Sequence, residues 1–204
     1  MVSSRSFSKL PSRRKIVALT VSVLLVGTAA YWSMLTAGAG PSSYSLFSGA
    51  AGPSVPGTDA HAVELGVQFR STVDGTVTAL SYWKAAGSPK ATRSGHLWDQ
   101  SGHLLASVSF TNDTASGWQQ VALASPVPVT ANTTYVVSYF APRGGYVATH
   151  NYFASALTNG PLQAPATNNG VYCYANTSCF PTNTYQASNY WADLTLTTTN
   201  TSAR

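Results

Sequence analysis

The feature that most constrains this chain is a two-residue alternation beginning near residue 63. Val63, Leu65, Val67 and Phe69 share one face of an extended segment, while Glu64, Gln68 and Arg70 share the other. That period belongs to a β-strand with one face on a core. A second segment, 76–84 (TVTALSYWK), is rich in β-formers and follows the turn dipeptide Asp74-Gly75. Further strands are expected at 96–98, 103–111, 118–124, 134–141, 146–149, 171–174 and 190–197. No long apolar stretch of helical period follows residue 40. Many short strands at roughly 8–12-residue spacing predict an all-β fold, an antiparallel β-sandwich of jelly-roll type.

Ahead of this region the chain changes character. Arg5, Lys9, Arg13, Arg14 and Lys15 precede residue 16 with no acid among them, and 16–30 (IVALTVSVLLVGTAA) is apolar. This is the layout of a secretory signal peptide, and Ala37-Gly38-Ala39 offers a small-residue cleavage site. The alternative is an uncleaved single membrane anchor, because 16–37 carries no charge and about 20 apolar residues span a bilayer. Tyr31 and Trp32 would then sit at the far interface. Residues 12–17 (SRRKIV) also resemble a twin-arginine export signal. Either way, the positive-inside bias puts everything after residue 40 outside the cytoplasm. The expected organisation is a signal peptide or signal anchor over 1–39, a Gly/Pro/Ser-rich linker with an early edge segment over 40–58, a β-sandwich domain over 45–197 and a flexible tail over 198–204.

The basic N-terminus also explains the charge. The net charge is +5, yet beyond residue 15 six basic residues balance six acidic ones. The body is neutral, which excludes a nucleic-acid partner, since that needs a clustered basic patch. Aromatics at 11% supply core material that disordered chains lack, and one long apolar run excludes a multi-span membrane protein. Membrane contact is expected only through the N-terminal segment, if it is uncleaved.

Cys173 and Cys179 flank five residues, and no C-x-x-C is present. Outside the cytoplasm an even cysteine count reads as a disulfide, with a pair of reactive thiols as the alternative.

One hairpin can be read closely. With a turn over Asp99 to Gly102, Trp98 faces His103 and His96 faces Leu105. Leu97, Leu104, Ala106, Val108 and Phe110 then form an inward row, which leaves His96, Trp98 and His103 together on the outer face. A slip of one residue inverts that arrangement.

Seven blocks carry a family resemblance. They are Ser45-Leu46-Phe47, 62–69 (AVELGVQF), Gly75-Thr76-Val77-Thr78, His96-Leu97-Trp98, Gly117-Trp118-Gln119-Gln120-Val121, 134–139 (TYVVSY) and 189–193 (NYWAD). In this order, over about residues 45–197, they resemble the bacterial domain-of-unknown-function family 4082. The resemblance implies a secreted or surface β-sandwich module, of a kind often found in tandem or beside immunoglobulin-like and carbohydrate-active domains. It implies no reaction.

Enzyme signatures are sparse. There is no G-x-S-x-G, H-E-x-x-H, P-loop or G-x-G-x-x-G. His61 and Glu64 are three apart, which on a strand puts them on opposite faces. Asp99 and Asp113 are the pair a glycosidase reading would invoke, although both sit in turn-like contexts. A structural calcium is the one cofactor the acids suggest. Asp59 and Glu64 bracket the first long strand and Asp193 lies on the last, and these carboxylates with loop carbonyls would make an oxygen-rich site if first and last strands pair. On the plainer reading Glu64 is a solvated outer-face residue and Asp59 a turn former.

Aromatics gather unevenly. Tyr146, Tyr152, Phe153, Tyr172, Tyr174, Phe180, Tyr185, Tyr190 and Trp191 fall within one stretch, among Asn, Thr, Gly and Pro. Sugars present apolar C–H faces ringed by hydroxyls, so a glycan site needs exposed rings beside neutral hydrogen-bonders. Two candidate ligand-binding platforms follow. One is Trp98 with His96 and His103; the other is Tyr146, His150, Asn151 and Tyr152 in the 144–152 loop. The alternative is that these rings fill a core. The expected function is an extracytoplasmic, non-catalytic module that binds a glycan or another cell-envelope component. The alternatives are a structural or adhesive protein-interaction domain and a hydrolase of extracellular polymers.

Overall fold

The computed structural model describes residues 40–199. The expected signal peptide or anchor, and residues 200–204 of the expected tail, lie outside the described residues. Within them the strands are β1 (Ser42–Tyr44), β2 (Val63–Ser71), β3 (Gly75–Lys84), β4 (Arg93–Asp99), β5 (Leu104–Phe110) and β6 (Gly117–Val129). There follow β7 (Tyr135–Ala141), β8 (Leu157–Asn159), β9 (Leu162–Ala164), β10 (Val171–Tyr174), β11 (Asn183–Thr184) and β12 (Ala192–Thr198). Among the described residues the helical content is a single 3₁₀ turn, Tyr152–Ala154, and none of their helices is long and apolar enough to cross a membrane.

All strand pairing is antiparallel, in two sheets. The first has the order β1-β12-β3-β6; the second runs β11-β10-β2-β7-β4-β5, with β9 on the far end of β2 and β8 on β9. The pairs are nested: β4 with β5, β3 with β6, β2 with β7 and β1 with β12. Each hairpin is therefore wrapped inside the next.

The alternation in β2 becomes one wall of the core. Val63, Leu65, Val67 and Phe69 are each at most 1% exposed. They share one hydrophobic cluster with Val77, Leu80, Leu194 and Leu196 of the first sheet. Tyr82 on β3 stacks on Tyr139 of β7 with centroids 4.8 Å apart and meets Phe110 of β5 edge-on. Each such fully buried side chain contributes about 1.5–3 kcal/mol.

Part of the expected linker is docked on this body. Leu46 and Phe47 are buried, and their amides donate to the Asp193 carboxylate at 2.8 and 3.2 Å. Trp83 and Trp118 donate their indole N–H to the carbonyls of Pro53 and Ala50. At the other end β12 runs to Thr198, which pairs with Ser42. The segment expected as a strand at 146–149 contributes only a single bridge, between Thr149 and Asn189.

The hairpin between β4 and β5 departs from the expected register. The turn does span Asp99 to Gly102, with the Gly102 amide donating to the Asp99 carbonyl. Gly102 has φ +85°, however, in the left-handed region that glycine enters at little cost. This makes a three-residue loop in which the Asp99 amide donates to the His103 carbonyl. Trp98 therefore faces Leu104 instead of His103, and a bulge at Leu97 and Trp98 puts His96 opposite Ser107 instead of Leu105. Leu104 leaves the inward row and is half exposed.

Candidate functional site

The outer face of the second sheet is closed where the first platform was expected. Trp98 and His96 do project from the same side of β4, but they are only 7% and 4% exposed. Trp98 donates its indole N–H to Ser138 Oγ at 2.7 Å, and that hydroxyl donates to Glu64 Oε1 at 2.6 Å. His96 Nδ1 lies 2.8 Å from the same Glu64 oxygen. The chain after β10 folds back over this cluster: Phe180 packs on Trp98, and Ser178 Oγ comes within 3.3 Å of His96 Nδ1. A disulfide between Cys173 and Cys179 closes that flap, as expected from the cysteine count. The covering flap thus removes Trp98 and His96 as a platform. Glu64, 0% exposed, is not a solvated residue. His103 stays exposed and apart, its Nδ1 2.8 Å from Asp99 Oδ2.

The three acids proposed as calcium ligands are not brought together. The last strand pairs with the short β1 and with β3, in the first sheet, whereas Glu64 lies on β2 in the second. Asp193 Oδ1 accepts the amides of Leu46 and Leu194. Burial pushes its pKa up to about 6 despite those bonds. Asp59 lies elsewhere, bonded to His61, Tyr146 and Tyr174. Among the described residues no group of three or more His, Cys, Asp or Glu is placed to hold a metal ion. Asp99 and Asp113 stand at opposite ends of the β4–β5 hairpin, about 20 Å apart by strand rise, well beyond glycosidase carboxylate spacing. Asp113 is engaged by the Tyr82 hydroxyl and by Lys84.

What the fold does assemble is a recess of about 220 Å³ lined by Tyr146, Tyr172, Tyr174, Tyr185 and Tyr190. Its origin is topological. Tyr172 and Tyr174 lie opposite Leu65 and Val63, in the same phase as the core row of β2. At this edge the rings meet loops: Tyr146 follows β7 and Tyr190 precedes β12. Tyr172 and Tyr146 both meet Tyr190 edge-on. Tyr174 and Tyr185 are about half exposed, and Tyr190 is buried at the floor. Beside Tyr174 a second hollow of about 440 Å³ is lined by His61, Ala62, Ala175 and Asn176 as well.

Asp59 organises the rim. Tyr174 donates its hydroxyl to Asp59 Oδ2 at 2.5 Å, and Tyr146 donates to the same oxygen at 3.2 Å. The amide and ring Nδ1 of His61 reach Asp59 Oδ1 at 2.9 and 2.8 Å. Burial pulls the Asp59 pKa upward, but the bonds from Tyr174, His61 and Tyr146 outweigh it and hold it at about 2. The phenols move the other way: burial, helped by Tyr174 and Asp59, raises Tyr146, and burial, helped by Asp59 and opposed by the Tyr146 hydroxyl, raises Tyr174. The rim at neutral pH is thus a carboxylate served by neutral phenol donors.

Of the second expected platform, Tyr146 lines this recess. His150 stands at its edge, its ring perpendicular to Tyr185 at 5.7 Å and its Nδ1 2.9 Å from Ser188 Oγ. Asn151 is a turn residue at φ +56°, with its amide donating to the Gln186 carbonyl. Tyr152 packs on Phe47 and Trp191 instead, away from the tyrosine recess. Sequence reasoning placed Tyr172, Tyr174, Tyr185 and Tyr190 in the aromatic-rich stretch without assigning them to a site. The Tyr-x-Tyr spacing across Cys173 was the available signal, because it puts two rings on one face of a strand.

No curated protein matches the chain. The family model described as domain of unknown function (DUF4082) matches residues 50–192, well over half of the chain and nearly all of the two-sheet body, and the chain belongs to that family.

Proposed function

We propose that this chain is an extracytoplasmic, non-catalytic module that binds a glycan or related cell-envelope polymer through the tyrosine-lined recess, on a β-sandwich of jelly-roll type. The nested pairing β4–β5, β3–β6, β2–β7 and β1–β12 supports the jelly roll, which is such a hairpin wound on itself. The disulfide and the basic-then-apolar N-terminus favour an address outside the cytoplasm. The observation that carries the binding reading is the recess itself. Two half-exposed tyrosines flank a carboxylate and phenol donors, which is the mixture of apolar faces and hydrogen-bonders a sugar needs.

The test is retention on insoluble polysaccharides: chitin, cellulose and purified peptidoglycan. The wild-type protein should be retained by at least one. Tyr174→Ala and Tyr185→Ala should each weaken that retention by about tenfold or more, the worth of one stacking ring, with an almost unchanged melting temperature. Wild-type protein that passes through all three overturns the glycan reading and leaves the adhesive one ahead.

A further inference from the structure

The recess has a polarity of its own. Its walls are rings set nearly at right angles: Tyr146 to Tyr190 at 77°, Tyr190 to Tyr172 at 77° and Tyr172 to Tyr174 at 72°, with centroids 5.5–6.2 Å apart. A flat pyranose is served by one broad ring face. Perpendicular rings instead form the corner of a box, presenting π-faces and hydroxyl oxygens to a compact guest from several sides. Each face carries the negative lobe of the ring quadrupole.

The charges around the box have one sign. Asp59 stands behind the hydroxyls of Tyr146 and Tyr174 and is ionised at neutral pH. Neither the tyrosine recess nor the adjoining hollow is lined by a Lys or Arg. The imidazoles beside it are engaged: His61 Nδ1 is hydrogen-bonded to Asp59, and His150, against Tyr185, has its Nδ1 on Ser188 Oγ. An anionic substituent would meet a carboxylate and ring faces with nothing to balance it. A neutral hydroxyl would gain a hydrogen bond but nothing from the field. A compact cation gains from both.

Resting on the glycan reading above, we propose that the box formed by Tyr146, Tyr172, Tyr174 and Tyr190 recognises an alkylammonium group carried on that polymer. The two sources of this chemistry are a free amino sugar and a quaternary ammonium substituent. Tyr174 and Tyr185 at the mouth stack the neighbouring sugar, and the box selects the charge.

The experiment is a titration followed by tyrosine fluorescence and calorimetry with four defined probes. Choline is compared with its uncharged carbon isostere 3,3-dimethylbutan-1-ol, and a glucosamine tetramer with the N-acetylglucosamine tetramer. At least one cation should bind about tenfold or more tighter than its neutral counterpart; which of the two does so identifies the source. Asp59→Asn keeps the shape and the Oδ1 acceptor for the His61 amide, and should reduce that preference to the part the ring faces supply. Tyr185→Leu, which removes an exposed ring, should weaken the tetramer more than choline. Equal binding of charged and neutral partners overturns the proposal, and so does the absence of binding by either cation. Retention of wild-type protein on the polysaccharide panel, measured separately, then decides whether the glycan reading survives.

Discussion

Two aromatic clusters lie on the second sheet, one on each side of β10, and they have opposite fates. On the outer side, Trp98, His96, Ser138 and Glu64 bond to one another beneath the flap closed by Cys173 and Cys179. On the inner side, Tyr172 and Tyr174 project past the core row and remain open to solvent with Tyr146 and Tyr185. Both clusters contain aromatic rings, a carboxylate and hydroxyls. In the closed cluster the polar edge of the ring is spent on the protein: the indole N–H has its acceptor and the ring face has Phe180. In the open cluster the Tyr146 and Tyr174 hydroxyls are tethered to Asp59 while ring area is left free. An aromatic residue becomes a binding surface when its face is unspent, whatever its polar atoms are doing.

The largest test of that contrast is Trp98→Ala. Removing a buried indole leaves a cavity and takes away the N–H that Ser138 Oγ accepts, so the variant should lose about 3–5 kcal/mol of folding stability. Chemical denaturation measures the loss directly. Ligand binding at the tyrosine recess should persist well below the lowered melting temperature. A variant as stable as the wild type would mean that the flap does not cover Trp98.

A smaller effect should follow from opening the flap itself. The disulfide closes only a short loop, so replacing Cys173 and Cys179 together by Ala should cost about 2 kcal/mol. The cost should be local. Trp83, Trp118 and Trp191 contact one another and pack on the main core, whereas Trp98 stands apart from them. The emission component lost in Trp98→Phe should therefore shift to the red when the flap opens, while the rest of the spectrum stays put. A red shift shared by the core tryptophans would show the flap to be part of the main cooperative unit.

The difference between the clusters also marks where sequence reading stops. The phase of the alternation was legible: Val63, Leu65, Val67 and Phe69 face the core, and Leu97 does too. So was the turn over Asp99 to Gly102, but not its extra residue, because nothing in the pattern says that Gly102 takes a left-handed conformation. Coverage was not legible at all. Periodicity assigns Glu64, His96 and Trp98 to an outer face but is silent about a flap arriving from residues 178–180. It puts Tyr172 and Tyr174 in phase with buried residues, yet cannot show that loops, at the sheet's edge, leave Tyr174 half open and Tyr172 only partly covered. The calcium reading failed for a related reason. The first and last strands do pair, but the first is the short β1, and Glu64 on β2 is left in the other sheet.

The smallest expected effect concerns the open cluster and pH. The Asp59 pKa is depressed to about 2 from an ordinary 3.8, with the bonds from Tyr174, His61 and Tyr146 outweighing the burial that opposes them. A carboxylate depressed in the folded state stabilises it at pH values above the unfolded pKa. That contribution is lost as pH falls through the folded one, here between about pH 4 and pH 2. Asp59 sits at a partly exposed rim, so solvent screening reduces its worth to about 1 kcal/mol. Denaturant unfolding of wild type and Asp59→Asn at pH 6 and pH 2.5 isolates it: the wild type should lose most of that ~1 kcal/mol relative to the variant across that interval. Trp98 emission should be the same in both proteins at pH 6, because the closed cluster shares no bond with Asp59. An equal loss of stability in the two proteins would mean that the bonds from Tyr174, His61 and Tyr146 do not lower the Asp59 pKa on folding, so that the rim does not hold the carboxylate in place.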